Sequence, residues 1–487
     1  MNLDTIQPGA RGPKMDRQTE RFIETFAKEL EEENVAIFAG AGLSVGAGYI
    51  NWKTLLEPIA QDLDLDIAQE HDLVSIAQYH FNERQNRSAL NRALIDQLSP
   101  GRDPTHNHQI LARLPIRTFW TTNYDKLIED SLEAAGKIPD VKYTVDQLKH
   151  TRPKRDAVVY KMHGDIDHPD AAILTKDDYE QYQSRFGPFV TALSGDLVAR
   201  MFLFLGFSFT DPNLDFILSR VRISLNGRPR DHYCIFKKGS RKDFNNDDEF
   251  RYAEIKQRLA VNDLKRFGVQ TLLVDEYSDI TIILKHIENR HKRRTVLMSG
   301  SACDFGSWGA NRAQRFIQEL AQALIKNGNR LVSGFGLGVG AHVITGALEE
   351  LYQHQGRRLH DELILRPFPQ ETGDSQKQWE KYRQDMIAHA GVGIFLFGNK
   401  PDGTCVNLAD GVRREYEIAR ERGLLLIPVG ATGYVAGELW KELVSTFESV
   451  YPQHLELKPL FLALEDASDV RRLIQNIIDI INTARGR

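Results

Sequence analysis

The chain has 487 residues, 41% apolar and 26% charged, an ordinary globular composition that excludes collagen-like, low-complexity and disordered classes. Its 62 Lys and Arg against 67 Asp and Glu give a net charge of −5, so the whole-chain balance draws it to neither nucleic acid nor an anionic membrane. Cys234, Cys303 and Cys405 are the only cysteines, too few for a four-cysteine zinc site and too scattered for a disulfide scaffold, which fits a reducing compartment. No apolar h-region marks the N-terminus, and no apolar run approaches the roughly 18 residues of a membrane span. A cytoplasmic location follows as the expectation, with no membrane and no nucleic-acid partner.

Residues 1–16 are Pro- and Gly-bearing and read as a flexible terminus. From Arg17 to Glu33, Phe22, Ile23, Phe26, Ala27 and Leu30 keep helical spacing. Strands are expected at 35–39, 117–121, 157–162, 201–205, 233–236 and 270–274, with helical patterns between most of them. The charged stretch 286–294 reads as a helix end and a linker at 288–294, with an anion-binding patch as the alternative. Beyond it, strands are expected at 295–299, 330–333, 362–366, 392–397 and 424–429, and helices at 312–326, 376–388 and 412–422. Strands alternating with helices twice over predict an α/β protein of two doubly wound, parallel-sheet, Rossmann-like domains, 17–287 and 295–487.

In the first domain four short motifs fall just after expected strands, where open parallel sheets bind ligands. Gly40-Ala41-Gly42-Leu43-Ser44 is small enough for backbone amides to approach a pyrophosphate, and Ser44 adds a hydroxyl; a plain strand-to-helix turn has the same appearance. Thr121-Thr122-Asn123-Tyr124-Asp125 supplies an amide able to hold a ribose hydroxyl or a water, or else a helix cap. Lys161-Met162-His163-Gly164 ends in an imidazole that can serve as a base or as a structural hydrogen-bonding group. Gly206-Phe207-Ser208, followed by Asp211 and Pro212, offers ribose or phosphate contacts, or a turn and a cap.

In this order the four motifs resemble the sirtuin catalytic domain over about residues 19–284. The resemblance implies NAD+ in the cleft and cleavage of its nicotinamide–ribose bond. Asn123 and His163 would be the catalytic pair, and Gly40, Ala41, Gly42, Ser44, Asp125 and Ser208 would line the dinucleotide site. The chain departs from protein-deacylating sirtuins in having no cysteine between His163 and Gly206, where their zinc module lies, and in reading Val45-Gly46-Ala47-Gly48-Tyr49 in place of I-P-D-F-R. Both departures argue against an acyl-lysine substrate and leave water as the simplest acceptor. In that scheme NAD+ is the substrate, there is no cofactor, and no metal is needed. Trp52 and Phe207 are candidates to shield nicotinamide.

In the second domain the strongest signal is the run Ser333-Gly334-Phe335-Gly336-Leu337-Gly338-Val339-Gly340, which suits a phosphate-facing turn or a tight strand–helix connection. Ser299 and Gly300 border the same crevice, and Arg383, Lys400 and Glu415 are placed to complete it. This half resembles the SLOG group, relatives of the "lonely guy" phosphoribohydrolases. Those enzymes carry P-G-G-x-G-T-x-x-E where this chain reads Phe397-Gly398-Asn399-Lys400-Pro401-Asp402-Gly403-Thr404, so a nucleotide sensor is expected rather than a second hydrolase.

The two halves together resemble the sirtuin–SLOG effector family of Thoeris antiphage defence. That resemblance implies a homotetramer and a TIR-domain partner that makes a cyclic ADP-ribose isomer. It implies that this signal is held by Ser299, Gly300, Gly336, Gly338, Arg383, Lys400 and Glu415 and switches on hydrolysis of NAD+. The alternatives are an NAD-dependent deacylase or ADP-ribosyltransferase, and a catalytically dead nucleotide sensor.

Overall fold

The computed structural model describes residues 16–49, 52–70, 72–98, 101–209, 211–353, 362–367, 375–403, 405–452 and 454–485. Residues 1–15 of the segment expected to be flexible lie outside them, as does Thr404. The described chain divides into two compact units between Glu288 and Asn289.

The first unit carries seven strands: β1 (Val35–Ala39), β2 (Thr118–Thr121), β3 (Pro139–Lys142), β4 (Ala157–Lys161), β5 (Met201–Leu205), β6 (His232–Lys237) and β7 (Val269–Val274). They pair in the order β3-β4-β2-β1-β5-β6-β7, every neighbour parallel. β1 and β5 are buried along their whole length, which is why each reads as an unbroken apolar run. The chain starts in mid-sheet at β1 and winds outward in both directions, so the topological switch lies beside β1. Register matters here: Leu205, Ala39, Thr121 and Lys161 are successive cross-strand partners. The motifs that follow β5, β1, β2 and β4 therefore leave the sheet at one level and along one edge.

β3 escaped the sequence reading. It is a four-residue edge strand opened by Pro139, and its Asp140 and Lys142 pair with each other at 2.7 Å, so no apolar alternation marks it. A helical module stands over the strand ends: Trp52–Gln61, Leu73–Arg84 and Ser88–Leu98 pack through Leu55, Leu56, Ile59, Ile76, Leu90 and Leu94. The same cluster includes Tyr124, Ala172 and Leu174, which fastens the module to the loops after β2 and β4.

The second unit has a parallel sheet of β8 (Thr295–Ser301), β9 (Arg330–Ser333), β10 (Leu363–Leu365), β11 (Val392–Phe397) and β14 (Leu425–Pro428), in the order β10-β9-β8-β11-β14. Val296, Met298, Leu331, Ile394 and Leu396 join one core; Leu297, Val332, Phe395 and Leu426 join another. This alternation shows helices covering both faces. Between β11 and β14 an antiparallel hairpin, β12 (Asn399–Asp402) and β13 (Cys405–Leu408), was not foreseen; all of its strand residues but Asn399 are exposed. The expected linker 288–294 is largely helical, since the helix Tyr277–Lys292 runs through it. Its apolar spacing continues to Ile287, and Arg290, His291 and Lys292 suit the negative end of its dipole.

Candidate active site

The C-terminal edge of the first sheet opens on a cavity of about 740 Å³, within the range of small-molecule sites. All four motifs reach it, through Ala41, Gly42 and Ser44 after β1, Asn123 and Asp125 after β2, His163 after β4, and Gly206, Phe207, Ser208 and Asp211 after β5. The helical module adds Trp52, Leu55 and Leu73, and the segment after His163 adds Lys176, Tyr179 and Glu180.

Asn123 is held rigidly. Its backbone N–H donates to Thr121 Oγ1 (2.9 Å), and its Nδ2 donates to the Gly40 carbonyl (3.1 Å) and to Ser44 Oγ (3.0 Å). A carbonyl oxygen can only accept, so the amide nitrogen faces Gly40 and Oδ1 faces the other way. Oδ1 is buried with no hydrogen-bond partner among the described residues. Asn123 lines the cavity, and a buried acceptor without a partner is costly unless a ligand or water completes it. The Asp125 carboxylate accepts from Leu127 N–H (3.0 Å), just ahead of the helix Leu127–Ala134, and from Ser44 Oγ (2.8 Å).

Gly40 contributes through packing rather than by lining the cavity. A Cβ there would lie 2.4 Å from the Gly206 carbonyl, and one at Gly42 would lie 2.9 Å from Gly206 Cα. Gly206 itself has φ +64°, and its Cβ would lie 2.1 Å from Leu43 N. The loops after β1 and β5 thus lie glycine against glycine, which any side chain would wedge apart.

His163 is 2% exposed, and the ring of Tyr179 stands edge-on to it with centroids 5.3 Å apart. Its Nε2 lies 3.1 Å from Asp211 Oδ2. Burial alone would raise the Asp211 carboxyl, but His163 and the Leu214 and Asn213 amides hold it below the usual carboxylate range. Asp211 also caps the helix Pro212–Ser224 by accepting from Leu214 N–H (2.9 Å).

Two groups escaped the sequence reading. Tyr179 is one; the helix that carries it gives no signal distinguishable from surface amphipathy. The other is Lys161, fully buried at the end of β4. Its Nζ donates to the carbonyls of Tyr124 (3.1 Å) and Asp125 (2.6 Å), to Glu129 Oε1 (3.0 Å) and to Asp165 Oδ2 (2.6 Å). Burial alone would pull its pKa down, but the two carboxylates override that and keep the ammonium charged. Lysine inside an apolar strand is the signal that could have found it, because a buried charge requires partners.

In the second unit, Ser299 Oγ donates to Glu415 Oε2 (2.6 Å), and Arg383 Nε stands 3.7 Å from Glu415 Oε1. Burial pushes the Glu415 carboxyl up, opposed by Ser299 and Arg383. Gly300, Gly336 and Gly338 sit where backbones meet: a Cβ on Gly336 would lie 2.0 Å from the Gly300 carbonyl, and one on Gly338 would lie 2.1 Å from that of Ala302. These six predicted residues cluster at the carboxyl edge of β8 and the loop after β9. Lys400 lies on the exposed hairpin and pairs with Asp410 at 2.7 Å.

Among the described residues, no group of three His, Cys, Asp or Glu side chains is arranged to hold a metal ion. No helix among them is long and apolar enough to cross a membrane.

Comparison with known families agrees with this geometry. Residues 117–257 match the SIR2-like domain, and residues 279–484 match the Sir2- and TIR-associating SLOG family. The chain is 52% identical to the NAD(+) hydrolase ThsA of Bacillus cereus (strain MSX-D12), over 96% of this chain and 99% of the relative. It is 48% identical to the ThsA of Acinetobacter baumannii (strain 532279), over 94% and 98%. It is 45% identical to that of Cytobacillus dafuensis, over 97% and 98%. At these identities, across nearly the full length of both chains, the protein belongs to the ThsA family, in which a SIR2-like domain is followed by a SLOG domain.

Proposed function

We propose that this chain hydrolyses NAD+ to nicotinamide and ADP-ribose in antiphage defence, and that a cyclic ADP-ribose-type nucleotide bound in the SLOG domain switches the hydrolysis on. The name of its relatives, NAD(+) hydrolase, supports the activity. The observation that carries the reading is the convergence of His163 and Asn123, whose Oδ1 has no partner among the described residues, on one cavity at the sheet's carboxyl edge.

The nicotinamide of NAD+ is a cationic leaving group, so the bond breaks through an oxocarbenium-like state at the ribose anomeric carbon. As the C–N bond breaks, its electron pair neutralises the pyridinium. Water oxygen bonds to the carbon, and His163 takes the water proton and returns it to solvent. Asn123 Oδ1 accepts from the attacking water or a ribose hydroxyl and so sets its direction. General-base assistance of this kind is worth about 10²–10⁴-fold in rate. Ala41, Gly42, Ser44, Asp125 and Ser208 hold the dinucleotide, Gly40 shapes the turn, and Phe207 and Trp52 shield the nicotinamide. Because the leaving group departs as a neutral molecule, the scheme calls for no metal and no separate cofactor.

In the SLOG domain, Arg383 and Lys400 take the signal's phosphates and Glu415 a ribose hydroxyl, with Ser299, Gly300, Gly336 and Gly338 forming the floor. The signal comes from a TIR-domain partner, and the working form is a cytoplasmic homotetramer without nucleic-acid or membrane partners. Nicotinamide release from NAD+, with and without cyclic ADP-ribose isomers, tests the reading. The wild-type chain should respond to an isomer, and Asn123→Ala and His163→Ala should be folded and silent. Intact NAD+ with every isomer would leave a nucleotide sensor alone.

A further inference from the structure

We infer that Asp211 is the positioning residue of His163, fixing which ring nitrogen bears the proton and which takes one from water. The inference deepens the proposed hydrolase reading and rests on His163 being its base. Asp211 comes from the loop after β5 and His163 from the loop after β4, 48 positions apart in the chain. The sheet brings Oδ2 and Nε2 to 3.1 Å, with the His163 ring buried and the Asp211 side chain 9% exposed. The contact is at ion-pair distance but off the hydrogen-bond axis, a looseness common in unliganded sites that tightens when substrate binds.

The consequence is a tautomer. An ionised carboxylate can only accept, so Asp211 selects the ring form with hydrogen on Nε2 and leaves the lone pair on Nδ1. Nδ1 has no partner among the described residues. Tyr124, Tyr179 and Tyr182 surround the ring, with centroids 6.5, 5.3 and 6.4 Å away, and restrict its tumbling. As Nδ1 takes the water proton, the imidazolium that forms lies against the Asp211 charge, which offsets its burial. The carboxylate is itself anchored, because Oδ1 accepts from Leu214 N–H at the helix start.

The helix cap supplies the control. Asn and Ser cap helices about as well as Asp, so Asp211→Asn and Asp211→Ser keep the fold while removing the charge. In Asp211→Asn the amide NH2 donates to Nε2, which forces the proton onto Nδ1 and removes the basic lone pair. With NAD+ and an activating cyclic ADP-ribose isomer, both variants should lose about 10²–10⁴-fold in kcat, with KM changed less than threefold and an unchanged melting temperature. A kcat within threefold of wild type in either variant overturns the inference.

A second measurement does not depend on turnover. In ¹⁵N-histidine-labelled full-length chain, the resonance absent from His163→Ala should show an Nε2-protonated ring in wild type and an Nδ1-protonated ring in Asp211→Asn. The same tautomer in both overturns the inference. A protein that shows the tautomer switch but releases no nicotinamide would refute the hydrolase reading instead.

Discussion

Lys161→Met is the most demanding test of how the site is built. Lys161 ends β4 two residues before His163, and its ammonium binds the Tyr124 and Asp125 carbonyls just after Asn123. One side chain thus ties the loop bearing the carboxamide to the strand bearing the imidazole. Methionine keeps the length of the stem and removes all four polar contacts. Glu129 and Asp165, each less than 10% exposed, would remain as buried carboxylates without their cation.

Removing one partner of such a cluster costs about 3–5 kcal/mol, a large part of the roughly 5–15 kcal/mol that holds a domain folded. The variant should fold with a clearly lowered melting temperature and lose most of its kcat as the Asn123 loop relaxes. Glu129→Gln added to Lys161→Met removes one stranded charge, so it should recover part of the stability without recovering kcat. Melting curves and nicotinamide release on the three proteins read the two effects separately. If Lys161→Met retains kcat within twofold, or if the double variant recovers activity along with stability, the clamp does not set the catalytic geometry.

Other consequences are equally direct. His232 and His108 are pushed down to about 4 from an ordinary 6.5, both chiefly by burial, His232 also by Arg230, while Asp125 opposes the shift at His108. His232 Nδ1 accepts the Phe202 N–H (3.2 Å), a bond only the neutral ring can make. Since both folded values lie below the unfolded one, their stabilisation is complete above about 6.5 and lost as pH falls toward 4, by up to about 3 kcal/mol per ring. Thermal melts between pH 7 and 4.5 should show this decline, and His232→Gln should flatten it; equal slopes for the two proteins would contradict the assignment. Gly206→Ala combines a φ of +64° with a Cβ 2.1 Å from Leu43 N, so it should raise KM for NAD+ at least tenfold and lower the melting temperature; unchanged values would show the two loops free to part. Arg383→Ala should leave the fold intact and abolish the response to cyclic ADP-ribose isomers, and a normal dose–response curve would displace the signal site.

How much of the site could be read in advance depends on range. β1 and β5 declare themselves because a strand buried on both faces must be apolar throughout, and a parallel sheet places the loop after each strand on one edge. Asn123 and His163 were therefore legible as strand-end residues before any coordinates. Lys161 was visible as a letter in K-x-H-G but not as a clamp, because its partners at 124, 125 and 129 depend on the pairing of β4 with β2. Asp211 showed its local cap and hid its distant imidazole for the same reason. β3 was missed because its buried positions hold the Asp140–Lys142 pair, and the β12–β13 hairpin because a short exposed hairpin lacks the periodicity that betrays a core. Lys400 lies on the exposed hairpin, where it pairs with Asp410.

The two sheets use their carboxyl edges in opposite ways, and this bears on the proposed switch. The first leaves Asn123 Oδ1 without a partner among the described residues. The second engages its charges internally, with Arg383 near Glu415 and Lys400 on Asp410, both carboxylates belonging to the one helix Asp410–Glu421. A phosphorylated signal on the proposed site must draw both cations from that helix. The exposed Lys400 pair is worth little and yields readily, while the mostly buried Arg383 must be recompensed in full. Driving a two-state equilibrium from 1:99 to 99:1 needs about 5.5 kcal/mol of differential binding, and one charge-assisted hydrogen bond supplies about 1.5–3 kcal/mol. A single phosphate reaching one cation falls short of that, whereas a diphosphate spanning Arg383 and Lys400 can reach it. A cyclic dinucleotide-like ring with two phosphates should therefore activate at concentrations where adenosine monophosphate binds without effect, and equal activation by the monophosphate would show that the helix Asp410–Glu421 is not the element being released.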